Sequence, residues 1–91
     1  MPALAPPTST EEVDGKELDR QLLAAHDRDD KLALVRLYRI AGMQAEAGGD
    51  VDAACFYLTH AFVFALEIGA PEAVDLNLML VARGRAHRVV L

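Results

Sequence analysis

The chain has 91 residues, of which 53% are apolar, with a formal net charge of −5 and one cysteine. At roughly 100–200 residues per domain this is one domain. The composition excludes a disordered chain, which is less apolar and more charged, an internal disulfide scaffold, which one cysteine cannot form, and a typical basic nucleic-acid binder.

Residues 1–12 read as a flexible tail. Pro2, Pro6 and Pro7 leave no basic leader and no helical apolar stretch, so a secretory signal is not expected. A single helical domain is expected over residues 13–91. Its first helix starts at Asp14, which can act as N-cap with Glu17 three residues on, while Val13 and Leu18 stand where a hydrophobic staple belongs. From Gly15 to about His26, Leu18, Leu22 and Ala25 make one narrow apolar stripe, which predicts an edge helix.

The polar segment from His26 to Asp30 breaks the pattern. Asp29 or Asp30 caps a second helix that runs to about Ala47, with Leu34, Leu37, Tyr38, Ala41 and Ala45 as its main face. Gly48-Gly49 ends it, because a glycine just past a helix takes the left-handed conformation without a Cβ clash. Asp50 caps the third helix, which stops at Gly69. Between Ala53 and Leu66 there is no Asp, Glu, Lys or Arg, and at that length the run reads as a buried core helix rather than a membrane span. Ala54, Leu58, Ala61 and Ala65 form a ridge of mostly small side chains; Asp52, Thr59, His60 and Glu67 mark the opposite face, with Phe56 and Val63 among them.

Pro71 fits the first turn of a fourth helix, where its missing N–H costs nothing. Val74, Leu78 and Val81 form one of its faces; Leu76 and Leu80 lie roughly opposite. Gly84 kinks or ends it, and Val89-Val90-Leu91 is an apolar tail that docks or frays. The expected fold is all-α: four antiparallel helices in a small bundle joined by short loops. Sixteen alanines and thirteen leucines against ten isoleucines and valines agree with it.

The segment from Tyr38 to Ala70 resembles a tetratricopeptide repeat. Tyr38, Ala41, Gly42 and Ala45 carry the likeness in one helix, Gly49-Asp50 in the turn, and Ala54, Leu58 and Ala61 in the next helix. Ala41 and Ala45 depart from the family, which usually has Leu and an aromatic there. A further repeat is begun by Leu78, Val81 and Ala82, and the sequence ends before its second helix. The resemblance implies that Gly42 lets two helices approach, and that Arg36, Arg39 and Met43 line a groove for a bound peptide, the arginines gripping a carboxylate. Repeat units do not bury their faces alone, and about three are normally needed.

The chemistry-bearing residues form no catalytic constellation. Cys55 and His60 stand about 140° apart on the helix, so Cys55 reads as a small buried residue. The His26–Asp30 segment lacks the glycine and glutamate of a calcium loop and reads as helix capping. Neither cofactor nor metal is expected. A domain of this size buries about 60–65% of its unfolded surface, so its apolar content is more than it hides. The surplus falls on the third and fourth helices. The expected function is a small interaction module, not an enzyme, that meets a second copy or another protein through Phe56, His60, Val63, Leu76 and Leu80. The alternative is a ligand-binding or enzymatic bundle with a pocket beside Tyr57, His60 and Phe64. A cytoplasmic setting without nucleic acid or membrane partners is expected.

Overall fold

A computed structural model describes residues 15–86. They form four helices and no strand: α1 (Gly15–Arg28), α2 (Lys31–Ala47), α3 (Val51–Ile68) and α4 (Glu72–Ala82). The tail over residues 1–12, the Asp14 cap, the Val13 staple and Val89-Val90-Leu91 lie outside the described residues.

The helix ends follow local chemistry. Asp30 and Asp50 accept hydrogen bonds from the backbone N–H groups of Ala33 and Ala53, which the first turns of α2 and α3 leave without an intrahelical acceptor. All four helices end alike. A residue with positive φ follows each C-terminus: Asp29, Gly49, Gly69 and Gly84. The next residue's N–H then reaches back to close the turn, as Asp50 does to the carbonyl of Ala45 and Ala70 to that of Ala65, each at 2.9 Å. Asp29, at φ 54°, is the only non-glycine among these four. Its Cβ crowds a backbone that glycine adopts freely, so Asp29→Gly is expected to stabilise the domain by about 0.5–1 kcal/mol. Thermal unfolding checks this, and an unchanged or lowered midpoint contradicts it.

Successive helices pack antiparallel, and α2 against α3 is the most extensive interface. Gly42 explains the closeness: a Cβ there would stand 2.8 Å from the Leu58 Cγ and 3.2 Å from the Ala54 carbonyl oxygen. Ala54, Leu58, Ala61 and Ala65 are all fully buried, as the small-residue ridge of α3 predicts. Ion pairs fix the direction of α4. Arg36 near the start of α2 meets Glu72 at the start of α4, and Glu46 near the end of α2 meets Arg83 just past the end of α4. The helices α2 and α4 therefore run parallel, both antiparallel to α3. The main core lies among α2, α3 and α4, built on Val35, Leu58, Leu76 and Leu80 with Tyr38, Phe62 and Met79 packed against it. The helix α1 buries Leu18 and Ala25 and leaves Leu23 exposed, as an edge helix does.

Two expectations are corrected. Leu76 and Leu80, expected at an interface with another chain, are 0% and 2% exposed and form part of the core. The outward face of α4 carries Val74 and Leu78 instead. The helix has two apolar faces, and the one that packs inward includes Asn77, also buried. Asn77 is nonetheless accommodated, since no buried side-chain nitrogen or oxygen among the described residues lacks a hydrogen-bond partner. Within α2, Val35 and Gly42 are buried beside Leu34 and Ala41, while Leu37 and Ala45 of the expected main face are only partly covered.

Candidate functional site

Tyr38 of α2 is the centre of an aromatic cluster that joins three helices. Its ring stacks with Tyr57 and Phe64 of α3, with centroids 6.3 and 6.0 Å away, and His60 tilts against it at 5.1 Å. His26 of α1 meets Tyr38 edge-on and places Nε2 3.0 Å from the Tyr38 hydroxyl. It also lies edge-on to Phe64. Offset and edge-on pairs of this kind contribute about 0.5–1.5 kcal/mol each beyond burial. Burial pushes the Tyr38 phenol above its ordinary pKa, and neighbouring Tyr57 adds to the shift.

The helix period brings His60 back over Phe56, one turn earlier. His60 Nδ1 lies 2.9 Å from the Phe56 carbonyl oxygen. That oxygen only accepts, so Nδ1 carries a proton in this bond. Phe56 packs on His60 at 4.5 Å and remains 57% exposed, while His60 is half-buried between Phe56 and Tyr38. Tyr57, His60 and Phe64, expected beside a ligand pocket, are thus brought together, but with Tyr38 packed against all three. The open depression that His60 does line, about 360 Å³, is bounded by Asp52, Cys55, Phe56, Thr59 and Arg85. Cys55 is buried there, and the Thr59 hydroxyl donates to its carbonyl at 2.7 Å.

The expected peptide groove is partly occupied by the protein's own charges. Arg36 faces Glu72 at 3.7 Å, so its guanidinium already has a carboxylate. Arg39 is half-buried and makes no ion pair among the described residues; Met43 is exposed. Farther along α2, Arg83 grips Glu46 with two nitrogens, Nε at 2.8 Å, and donates through Nη1 to the Met79 carbonyl. This two-pronged contact ties the ends of α2 and α4. The segment from His26 to Asp30 does what capping requires: Arg28 reaches Asp30, and Asp30 caps α2.

These contacts give the domain a defined acid response. Hydrogen bonds from Arg83 hold the Glu46 carboxyl below the ordinary glutamate value of 4.5, those from Arg20 and Gln21 do so for Glu17, and the Ala33 N–H and Arg28 hold Asp30 below 3.8. A carboxylate with a depressed folded pKa stabilises the fold above its unfolded pKa and loses that contribution as pH falls through the folded one. The urea midpoint should therefore be flat from pH 7 to about 5 and fall steadily below it. Glu46→Gln should make that fall shallower; an identical acid slope in the variant contradicts the role given to the Arg83 contact.

The interface residues divide in two. Phe56 and Val63 are exposed on the outer face of α3, where Leu66 extends their stripe by nearly one turn. Val74 and Leu78, which the sequence gives only as one of two apolar faces of α4, are its exposed pair. His26 and Tyr38 were also missed as partners: Tyr38 was legible as a core position, but nothing in the local pattern says which side chain of α1 reaches it. No protein-family model matches this chain, and no curated protein or solved structure matches it either.

Proposed function

We propose that this domain is a helical protein–protein interaction module that associates with a second copy of itself and carries no catalysis of its own. One observation carries the reading. Seven of the ten large apolar side chains exposed among the described residues stand on α3 and α4: Val51, Phe56, Val63, Leu66, Ile68, Val74 and Leu78. Exposed apolar side chains scattered singly need no explanation, but a concentration on two adjacent helices marks a contact surface.

We read the α2–α3 hairpin as tetratricopeptide-repeat-like. The close seat of Gly42 under Leu58, the buried Ala54 and Ala61, the left-handed Gly49 in the turn and the parallel course of α2 and α4 support this. We place the module in the cytoplasm, apart from nucleic acid and membranes, on its net charge of −5 and its lone, buried Cys55. Among the described residues, α3 is the one helix long and apolar enough, by length and composition, to cross a membrane. Its packing against both α2 and α4, and the Asp52, Thr59 and Glu67 on its outer face, support the core-helix reading.

The test is Phe56→Asp, followed by light scattering behind a sizing column and by circular dichroism. Assembly is expected to weaken while the helical signal stays. Unchanged assembly removes the outer face of α3 from the interface. The ligand-binding alternative predicts a different result: reproducible thermal stabilisation by a metal ion or metabolite, lost in His60→Ala.

A further inference from the structure

The four helices are not held equally, and the weakest seam lies beside the aromatic cluster. The helix α1 buries two residues, Leu18 and Ala25, whereas α2, α3 and α4 bury four, five and four. Leu18 and Ala25 also stand outside the main core of α2, α3 and α4.

The seams differ in how closely they are filled. Between α2 and α3, Gly42 brings the backbones together over Leu58. Between α1 and α2, two open depressions border the contact. One, about 500 Å³, lies between Arg20 and Ala24 of α1 and Ala33 and Leu37 of α2. The other, about 340 Å³, lies between Leu18 and Leu22 of α1 and Ala41 of α2, with Tyr57 of α3 also lining it. Ties across the seams follow the same order. Ion pairs join Lys31 of α2 to Glu67 of α3 and Arg36 of α2 to Glu72 of α4. The turn after α4 reaches both neighbours, through Arg83 to Glu46 and through Arg85 to Asp52. The ion pair of Arg20 with Glu17 stays within α1. From α1 it is His26, itself exposed, that reaches Tyr38 and Phe64.

The connection from α1 to α2 is short and strained. Asp29 holds φ 54°, where its Cβ crowds the backbone, and its N–H donates to the His26 carbonyl at 3.1 Å. Leaving that conformation relieves the crowding. The side-chain cap from Asp30 to the Ala33 N–H belongs to α2, so the start of α2 does not depend on α1.

We propose that α1 is a detachable strap. It opens as one unit about Asp29 while α2, α3 and α4 keep their fold. Closed, it completes the aromatic cluster; open, it uncovers Tyr38, Phe64 and Ala41, a seat shaped to a helix. With 14 residues, α1 has the length at which an isolated helix is marginal in water. Undocking therefore unwinds it and frees its amides together. Self-association through the outer residues of α3 and α4 is a separate property, and the two are tested apart.

The test is native-state hydrogen exchange of the full chain, read by mass spectrometry at a protein concentration too low for association, with fragments resolved within α1. Amides from Asp19 to Arg28 are expected to open about 100-fold more often than those in the middle of α3. Leu76→Val then separates the strap from the core. It weakens the packing of α2, α3 and α4 equally with α1 closed or open. Exchange in α3 should therefore rise about 5–10-fold while α1 stays unchanged. A single opening rate shared by α1 and α3 overturns the strap, as does a rise in α1 that matches the rise in α3. Protection that climbs steadily from Asp19 to Arg28 also overturns it, since that is the pattern of a fraying end.

Discussion

Gly42→Val is expected to destabilise the domain by about 2–3 kcal/mol, within the range for overpacking a well-packed core. The helix itself would gain slightly, because valine is a better helix former than glycine by a few tenths of a kcal/mol. Packing decides the sign. The added Cβ would come within 2.8 and 2.9 Å of Leu58 Cγ and Cδ2 and within 3.2 Å of the Ala54 carbonyl oxygen. Leu58 is 0% exposed, so its branch point has no free space to move into, and the oxygen belongs to the backbone of α3. The cost is therefore a separation of α2 from α3, the most extensive interface in the fold. Gly42→Ala should cost less, about 1 kcal/mol net, since alanine gains about 1 kcal/mol of helix propensity against the same clash. Urea unfolding at fixed protein concentration measures both. Gly15 is the control: a Cβ there meets nothing within 4 Å, so Gly15→Ala should be neutral or stabilising. A neutral Gly42→Val would contradict the close approach of the two helices.

The second large effect separates the two faces of α4. Leu76→Ala is expected to lose about 3 kcal/mol, because it removes a fully buried side chain and leaves a cavity among α2, α3 and α4. Leu78→Ala, two residues on, should change the stability of the single chain by no more than about 0.5 kcal/mol, since Leu78 faces outward. Urea midpoints at a protein concentration too low for association read both, as association would otherwise add to the apparent stability. Equal losses, or a larger loss at Leu78, would mean that α4 packs in the opposite phase.

That contrast also marks where the sequence stops being informative. The four helices, their order and the turns between them were legible because each boundary has local chemistry: Asp30 and Asp50 accept from the first turns of α2 and α3, and Gly49 and Gly69 take left-handed φ. The packing of α2 on α3 was legible for a related reason. Gly42 facing a ridge of Ala54, Ala61 and Ala65 leaves few ways to fill the space. The phase of α4 was not legible. Apolar side chains line both of its sides, and only tertiary contact with α2 and α3 decides which side is buried. The candidate site divides on the same line: Phe56 and Val63 are exposed on a helix whose inward ridge was unambiguous, whereas Leu76 and Leu80 are buried on a helix that is apolar on both sides. The aromatic cluster lay between these cases. Tyr57, His60 and Phe64 share a helix face and so were grouped, but their meeting with Tyr38 and His26 is a property of the assembled helices.

The central claim is that the apolar surface left open on α3 and α4 meets a second copy of the chain. Sedimentation equilibrium of the unaltered full chain, from about 1 to 100 μM, tests it most directly, because that range spans weak and moderate dimers. The account predicts an average mass that rises with concentration toward twice that of one chain. A mass that stays at one chain across the whole range would contradict it.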